Sequence, residues 1–230
     1  MKTCNLCGYP ILRLQPGVFG KRCIRCLSTH IHRGVGMVLE GLHLGNDIDV
    51  YELSSKGALC RYHARRFPNT TFSEYFDGVE PGTLRRGVLC QNVQRLTFPG
   101  GSFDLVTSTE VFEHVANDAE GFQEIFRVLR PGGHFVFTVP LSSADTTVER
   151  AVMRGATLVP LLPPAYHGDR IRGTGRVLVF RDYGRDIKDR LAAAGFSVQI
   201  VVVDDARHAI GGAPVIVCSK PRNLPTRATG

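Results

Sequence analysis

Three features that would each define a class of protein are missing from this sequence. No apolar run approaches the roughly 18 residues that a membrane-spanning helix needs, so we expect no membrane span. The first ten residues, MKTCNLCGYP, lack the apolar segment of a secretory signal. No G-x-G-x-x-G follows the first predicted strand, which argues against a nicotinamide-dependent dehydrogenase.

The composition fits one domain of ordinary size with a small additional module. The chain has 230 residues, of which 43% are hydrophobic, enough for a real core. Its net charge of +7 favours acidic partners such as RNA or phosphorylated metabolites, and equally fits plain solubility. Seven cysteines without an export signal indicate reduced thiols and a cytoplasmic protein, where cysteine serves metal binding or chemistry rather than disulfides.

Four of the seven cysteines form two C-x2-C pairs near the N-terminus. Fifteen residues separate Cys4 and Cys7 from Cys23 and Cys26. Two such pairs complete the tetrahedral four-sulfur shell that suits Zn²⁺, although an iron–sulfur cluster or two unrelated thiol pairs remain alternatives. Four thiolates leave no open position, so we expect a structural metal. The other cysteines are expected in the core: Cys60, Cys90 and Cys218.

The pattern along the chain divides it into four segments. We expect a zinc ribbon, a connecting helix, a main domain and a disordered tail, in that order, over residues 1–28, 29–45, 46–220 and 221–230. From residue 48 onward, apolar strand-like runs such as IDVYEL and FDLVTST alternate with helix-like runs such as DAEGFQEIFRVLR. This alternation predicts a mostly parallel sheet with helices on both faces. Residues 141–181, rich in Pro, Gly and Arg, are expected to be irregular.

The stretch LTFPGGSFDLVTSTEVFEHVANDAEGFQEIFRVLRPGGHFVFTVP, residues 96–140, resembles the class I S-adenosylmethionine-dependent methyltransferases. The resemblance lies in the order and spacing of SFD, EHV and LRPGG, and a looser resemblance spans roughly residues 48 to 218. It implies a Rossmann-like α/β fold, with a seven-stranded, mostly parallel sheet whose last strand is antiparallel. It also implies S-adenosylmethionine as the cofactor.

The same resemblance implies where the cofactor binds. In that family, the loop after the first strand carries an acidic residue and glycines that approach the methionine part of the cofactor. Here Glu52 takes the acidic place, and Ser54, Ser55 and Gly57 form the turn. Serine is small and its hydroxyl can bond a carboxylate, so we interpret ELSSKG as a variant site rather than a lost one.

Further cofactor contacts are expected at the ends of later strands. Glu74 ends the second strand, where an acidic side chain matches the residue that binds ribose hydroxyls. Tyr75 would pack on adenine, and Asn92 would accept from its amine although the family often has Asp there. Gln91 and Val93 would flank the ring.

The candidates for catalysis lie after the fourth strand and in the insertion at residues 141–181. After the fourth strand, Ser108, Thr109 and Glu110 would face the methionine end of the cofactor or the acceptor. Four side chains are candidates for the general base or for orienting it: Glu110, His114, Tyr166 and His167, the last two beside Asp169. The segment Phe180–Gly184 would close over the site. Four arginines would suit an anionic acceptor or form a solvated face: Arg170, Arg172, Arg176 and Arg181.

These residues favour methyl transfer from S-adenosylmethionine to an oxygen or nitrogen of a small molecule. An RNA methyltransferase is the alternative, since the positive charge suits a phosphate backbone, but basic runs with interleaved aromatic residues are lacking. A non-catalytic binding protein with a decayed methyltransferase fold is the third reading, supported by the single glycine of ELSSKG. The acceptor and the oligomeric state do not follow from the sequence.

Overall fold

A computed structural model of the chain describes residues 1–169 and 175–222. The N-terminal segment contains an antiparallel pair, β1 (Ile11–Arg13) and β2 (Lys21–Cys23), joined through a 3-10 turn at Val18–Gly20. Helix α1 (His30–Gly41) follows, and the Thr29 N–H before it donates to Nδ1 of His32. Most of the expected tail, residues 223–230, lies outside the described residues.

The main domain is built from eight strands in one sheet and three further helices. In chain order the first elements are β3 (Val50–Glu52), α2 (Ala58–Arg66), β4 (Thr70–Glu74), β5 (Leu84–Arg85), β6 (Val88–Cys90), β7 (Phe103–Thr109), α3 (Asp118–Val128) and β8 (Leu129–Thr138). An insertion holds β9 (Val148–Glu149), β10 (Ala151–Arg154), β11 (Thr157–Pro160), β12 (Tyr166–Asp169), β13 (Gly175–Leu178) and β14 (Arg181–Asp182). The chain then forms α4 (Ile187–Ala193), β15 (Ser197–Asp205) and β16 (Ile210–Ser219).

The sheet has the order β15-β16-β8-β7-β3-β4-β6-β5. Strands β6, β4, β3, β7 and β8 are mutually parallel, and β16 is antiparallel to β8, which confirms the predicted arrangement of the last strand. The sheet has one strand more than predicted, because β5 pairs antiparallel with β6 at the edge. Arg86 and Gly87, both with positive φ, form the two-residue turn between them, where the sequence indicated a plain loop.

Helices cover both faces of the sheet, as predicted. Alternate residues of a strand point to opposite faces, so Leu105 and Val136 join the core beneath α1 and α2. Val106, Phe135 and Phe137 join the core beneath α3 and α4. These strands are buried on both sides and therefore appear in the sequence as continuous apolar runs. No helix within the described residues is long and apolar enough to cross a membrane.

The prediction that residues 141–181 are irregular was wrong. Strands β10 and β11 form one antiparallel hairpin, β12 and β13 form a second, and β14 pairs with β9. Their residues are mostly exposed or half-buried, so they lack the apolar alternation by which a strand is recognised in a sequence. The insertion is tied to the main domain because the Phe180 N–H donates to the Glu113 carbonyl.

Candidate functional site

A cavity of about 450 Å³ lies at the carboxyl ends of β3, β4 and β6. Its wall includes Glu74 at the end of β4, Tyr75 directly after it, and the segment 91–94 that follows β6. Residues 114–116, which follow β7, and Met153 and Phe180 from the insertion also line it. Ligands of open α/β sheets bind at this edge, and the cavity has the size of a small-molecule site.

The Glu74 carboxylate is held in place by the serine-rich turn after β3. Oε1 of Glu74 accepts from the Ser55 N–H at 2.8 Å and from the Ser55 hydroxyl at 3.0 Å. Burial raises the pKa of Glu74, and the two bonds from Ser55 oppose that shift. Among the described residues Oε2 accepts no hydrogen bond, so one oxygen of a positioned carboxylate remains for a ligand in the cavity.

The residues after β6 are fixed by local hydrogen bonds. The Gln91 amide donates to the Thr97 hydroxyl at 2.6 Å and accepts from the Thr97 N–H at 3.1 Å. The amide oxygen of Asn92 accepts from the Gln94 N–H at 3.0 Å, which leaves it one further lone pair. Together with Val93, these side chains line the cavity at the places where the sequence predicted adenine contacts.

Glu52 does not line this cavity. It is 2% exposed, its Oε2 accepts from the Thr107 hydroxyl, and the same oxygen lies 3.5 Å from Nε2 of His63 on α2. Since successive side chains of a strand alternate, Tyr51 faces the cavity and Glu52 the opposite side of the sheet. The structure therefore brings Ser55 together with Glu74, and places Glu52 in a buried network with α2.

The remaining turn residues lie beside α2. The Ser54 carbonyl accepts from the Cys60 thiol, and Gly57 immediately precedes α2 with φ of 122°, a conformation that favours glycine. Ser55 and Gly57 line a second cavity of about 400 Å³ together with Lys56. Thr109, at the end of β7, has a buried hydroxyl without a hydrogen-bond partner among the described residues.

Four titratable side chains meet where the segment after β7 contacts the insertion. Nε2 of His114 and Nδ1 of His167 are 3.1 Å apart although 53 residues separate them in the chain. Burial, followed by repulsion from Glu113, raises the pKa of Glu110 to about 7. The nearby Glu113 carboxylate raises the pKa of His167. Three of the predicted base candidates are therefore close together, and Glu113, which sequence reasoning left without a role, joins them.

The other insertion residues predicted for the site have different surroundings. Tyr166 is half exposed, and the guanidinium of Arg176 stacks over its ring at 4.4 Å. Arg181 was expected to face an anionic acceptor or solvent, but it is 3% exposed and donates to the carbonyls of residues 112, 115 and 116. Its role is to hold the insertion on the domain. Arg170 and Arg172 lie outside the described residues.

Of the segment Phe180–Gly184, which was expected to close over the site, one residue lines the cavity and the others pack within the protein. Phe180 lines the cavity. Tyr183 is buried and donates to Asp118, and Asp182 pairs with Arg150. Gly184 lies close against the backbone of Thr146, where a side chain would clash. Only the first residue of the segment is therefore positioned to touch a ligand.

The four N-terminal cysteines converge. The sulfurs of Cys4 and Cys26 are 3.6 Å apart, those of Cys7 and Cys23 are 3.4 Å apart, and all four lie within 4.8 Å of one another. Four sulfurs around one zinc ion at about 2.3 Å would be separated by about 3.8 Å, so the cluster fits a tetrahedral ion after small adjustments. The remaining cysteines are buried separately, as expected.

Arginines of α1 and α2 hold residues 1–28, the cysteine module, in place. Arg33, fully buried, donates to the carbonyls of Lys21 and Ser28 on one side and of His208 and Ala209 on the other. From α2, two further arginines donate to the module: Arg61 to the Cys26 carbonyl and Arg65 to the Leu6 carbonyl, each at 2.6 Å. Helix α2 begins just after the turn that contains Ser55. The same helix therefore contacts the cysteine module and follows the turn that holds Glu74.

Comparison with known proteins places this site in a family. Residues 37–137 match a family described as a methyltransferase domain, and this range includes the turn after β3, Glu74 and residues 91–93. Over these residues the chain is similar to the class I S-adenosylmethionine-dependent methyltransferases. The family binds S-adenosylmethionine, and the methyltransferase domain here has its cavity at the sheet edge where the resemblance implied the cofactor.

Individual relatives of the methyltransferase domain are distant. The demethylmenaquinone methyltransferase of Mycobacterium sp. (strain JLS) is 29% identical over 143 residues, 58% of each chain. That of Mycolicibacterium gilvum (strain PYR-GCK) is 30% identical over 135 residues, 54% of this chain and 55% of that one. An S-adenosylmethionine-dependent methyltransferase from Clostridium acetobutylicum aligns with a TM-score of 0.54 at 14% identity, covering 84% of this chain and 92% of that one. The matches to the two demethylmenaquinone methyltransferases thus span little more than half of the length of those proteins. The structural likeness supports the fold.

Proposed function

We propose that this protein transfers the methyl group of S-adenosylmethionine to an oxygen or nitrogen of a small-molecule acceptor. The observation that carries the proposal is the Glu74 carboxylate, which Ser55 holds by two hydrogen bonds at the edge of a 450 Å³ cavity. Ser55 of ELSSKG thereby supplies a specific contact where the resemblance led us to expect glycines. This geometry favours a working variant site over a decayed one.

The residues of the cavity fit a nucleoside cofactor. Glu74 would accept from the ribose hydroxyls, and Gln91, Asn92 and Val93 would border the adenine, with Tyr75 beside them. Ser54, Gly57 and Thr109 would lie toward the methionine part. When bound, S-adenosylmethionine supplies an activated methyl group on a sulfonium. The chain itself contributes positioning of the two reactants and a proton acceptor for the acceptor atom.

The proton acceptor would come from the cluster where the insertion meets the domain. Glu110 has a pKa near 7 because it is buried, so it can exchange a proton at neutral pH. His167 lies on the half-exposed side of the same cluster, and Tyr166 precedes it on β12. We infer that Glu110 serves as the base and that His167 orients the acceptor, with His114 fixing the turn.

A small acceptor is favoured over RNA by how the arginines are used. Among the described residues, three arginines of the insertion and α4 are paired within the protein: Arg150 with Asp182, Arg181 with Glu149, and Arg190 with Asp118. Paired arginines offer little to a phosphate backbone. The cavity also has apolar walls from Val111, Val115, Met153 and Phe180, and the named relatives act on a demethylmenaquinone, so a ring-bearing acceptor fits best.

We further propose that Cys4, Cys7, Cys23 and Cys26 bind one structural Zn²⁺. The sulfur separations support this, and so does Arg33, whose buried guanidinium lies near enough to Cys4, Cys23 and Cys26 to be attracted by their sulfurs in the thiolate form. A four-thiolate zinc site carries two negative charges, which a buried cation offsets.

The proposed cofactor site can be tested by calorimetry with S-adenosylhomocysteine. We expect micromolar binding to the wild type and a loss of at least about tenfold in Glu74→Gln, which keeps the size of the side chain but removes a charged acceptor worth about 1.5–3 kcal/mol. Glu80→Gln is the matched control, since Glu80 is an exposed carboxylate six residues further along. Wild-type protein that is folded but binds no S-adenosylhomocysteine would contradict the proposal.

A further inference from the structure

Glu113 is a buried carboxylate without a cation of its own. It is 1% exposed, and within the described residues neither oxygen has a hydrogen-bond partner. No lysine or arginine among the described residues forms an ion pair with it, and the rings of His114 and His167, 3.5 and 3.6 Å from its Oε1, carry a charge only when protonated. An uncompensated buried charge costs several kcal/mol, so a positive charge is expected at this place.

The hydrogen bonds of His114 fix which of its two ring nitrogens carries a lone pair. Nδ1 of His114 lies 2.7 Å from the Leu178 carbonyl, which can only accept, so Nδ1 carries the proton and donates. Nε2 of neutral His114 therefore presents a lone pair to Nδ1 of His167, 3.1 Å away. A backbone carbonyl that fixes the tautomer in this way is the usual outer partner of a metal-binding histidine.

We propose that Glu113, His114 and His167 bind a divalent metal ion of the zinc type, separate from the four-cysteine site. The three donor atoms are Oε1 of Glu113, Nε2 of His114 and Nδ1 of His167, separated by 3.1, 3.5 and 3.6 Å. Three ligands at about 2.0–2.1 Å from one tetrahedral ion lie about 3.3–3.4 Å apart. The observed triangle has that size, and two imidazoles with one carboxylate favour zinc over magnesium.

Three protein ligands leave the fourth position of a tetrahedral ion open. His114 also lines the cavity, so the ion would lie at the border between cavity and solvent. Resting on the proposed methyl transfer, the open position would bind the acceptor through an ionisable oxygen and lower its pKa, as metal ions do for bound water. The acceptor class this predicts is a phenol or enol, which fits the apolar cavity wall.

The metal content of untagged protein tests this site. The protein would be saturated with Zn²⁺, passed over a chelating resin, and analysed for zinc per chain by elemental mass spectrometry. We expect His167→Ala and His114→Gln each to hold one zinc fewer than the wild type. His167 is half exposed on a hairpin, so its variant should fold. His43→Asn is the control, because His43 is exposed and Asn tolerates its positive φ.

Equal zinc content in the wild type and both variants would overturn the metal site. The positive charge expected beside Glu113 would then be assigned to a proton shared between the two histidine rings. Calorimetry with S-adenosylhomocysteine on the wild type separates this result from the proposed function. If the nucleoside binds and no zinc is lost in the variants, only the metal site falls. If zinc is lost in the variants and the nucleoside does not bind, the site stands as metal binding and the methyl transfer falls.

Discussion

Replacing Arg33 should destabilise the protein more than replacing any exposed arginine of the cysteine module. Its guanidinium is fully buried, and its donors serve the carbonyls of residues 21, 28, 208 and 209. It thereby joins the module to the loop between β15 and β16. Arg33→Met fills a similar volume and leaves these four carbonyls without that donor.

The magnitude follows from those carbonyls. A buried acceptor that loses its partner costs about 1–3 kcal/mol, and four at the lower end give about 4 kcal/mol. The Ser28 carbonyl also accepts from the Cys23 N–H, and removing a buried charge recovers some desolvation, so we expect about 3 kcal/mol. For a domain of this size, such a loss lowers Tm by about 6–12 °C.

The assay is urea unfolding of zinc-loaded wild type and Arg33→Met, followed by circular dichroism. Arg25→Met is the matched control, since Arg25 lies in the same module, is exposed and stacks over Tyr9. We expect the control to change the free energy of unfolding by less than about 0.5 kcal/mol. A loss below about 1 kcal/mol in Arg33→Met would refute the view that this arginine holds the module on the domain.

Three further predictions concern Glu52, Ser55 and Glu74. Glu52→Gln should lower Tm by several degrees yet leave the affinity for S-adenosylhomocysteine within about threefold of the wild type. The reason is that Glu52 accepts a hydrogen bond from Thr107 and faces His63 rather than the cavity. A large loss of affinity in calorimetry would restore Glu52 as a cofactor residue. Ser55→Ala removes one of two donors to Glu74 and should weaken that affinity by about tenfold or less, and an affinity equal to the wild type would show that the hydroxyl is dispensable. The affinity for S-adenosylhomocysteine should also fall as pH is lowered through the raised pKa of Glu74, since the protonated carboxyl accepts hydrogen bonds less well. The affinity of Glu74→Gln should not change with pH in this way. The same pH dependence in both proteins would assign it to another group.

The sequence predicted the central strands well because they are buried on both faces. FDLVTST matches β7 residue for residue, and the two cores divide its alternate side chains. The same logic failed in the insertion, where β10 to β13 are exposed hairpins held by the hydrogen bonds of their turns and edges. Exposed strands carry no apolar period, so their pairing depends on tertiary context.

The meeting of Glu74 and residues 91–93 in one cavity was predictable because parallel strands end at one edge of the sheet. Glu74 and residues 91–93 lie there together. The side of the sheet that the Glu52 side chain faces could not be predicted from the sequence. In the structure it faces α2, where its Oε2 lies 3.5 Å from Nε2 of His63. The proximity of His114 and His167 likewise arises from a long-range contact, the bond from His114 to the Leu178 carbonyl.

We propose the cavity beside Glu74 as the site of the cofactor. A crystal structure with S-adenosylhomocysteine tests this most directly. We predict that both ribose hydroxyls lie within hydrogen-bond distance of the Glu74 carboxylate and that the adenine borders residues 91–93, with the Ser55 bonds to Glu74 intact. A nucleoside bound beside Lys56 and Gly57 instead, or a cavity that stays empty at saturating ligand, would contradict the account.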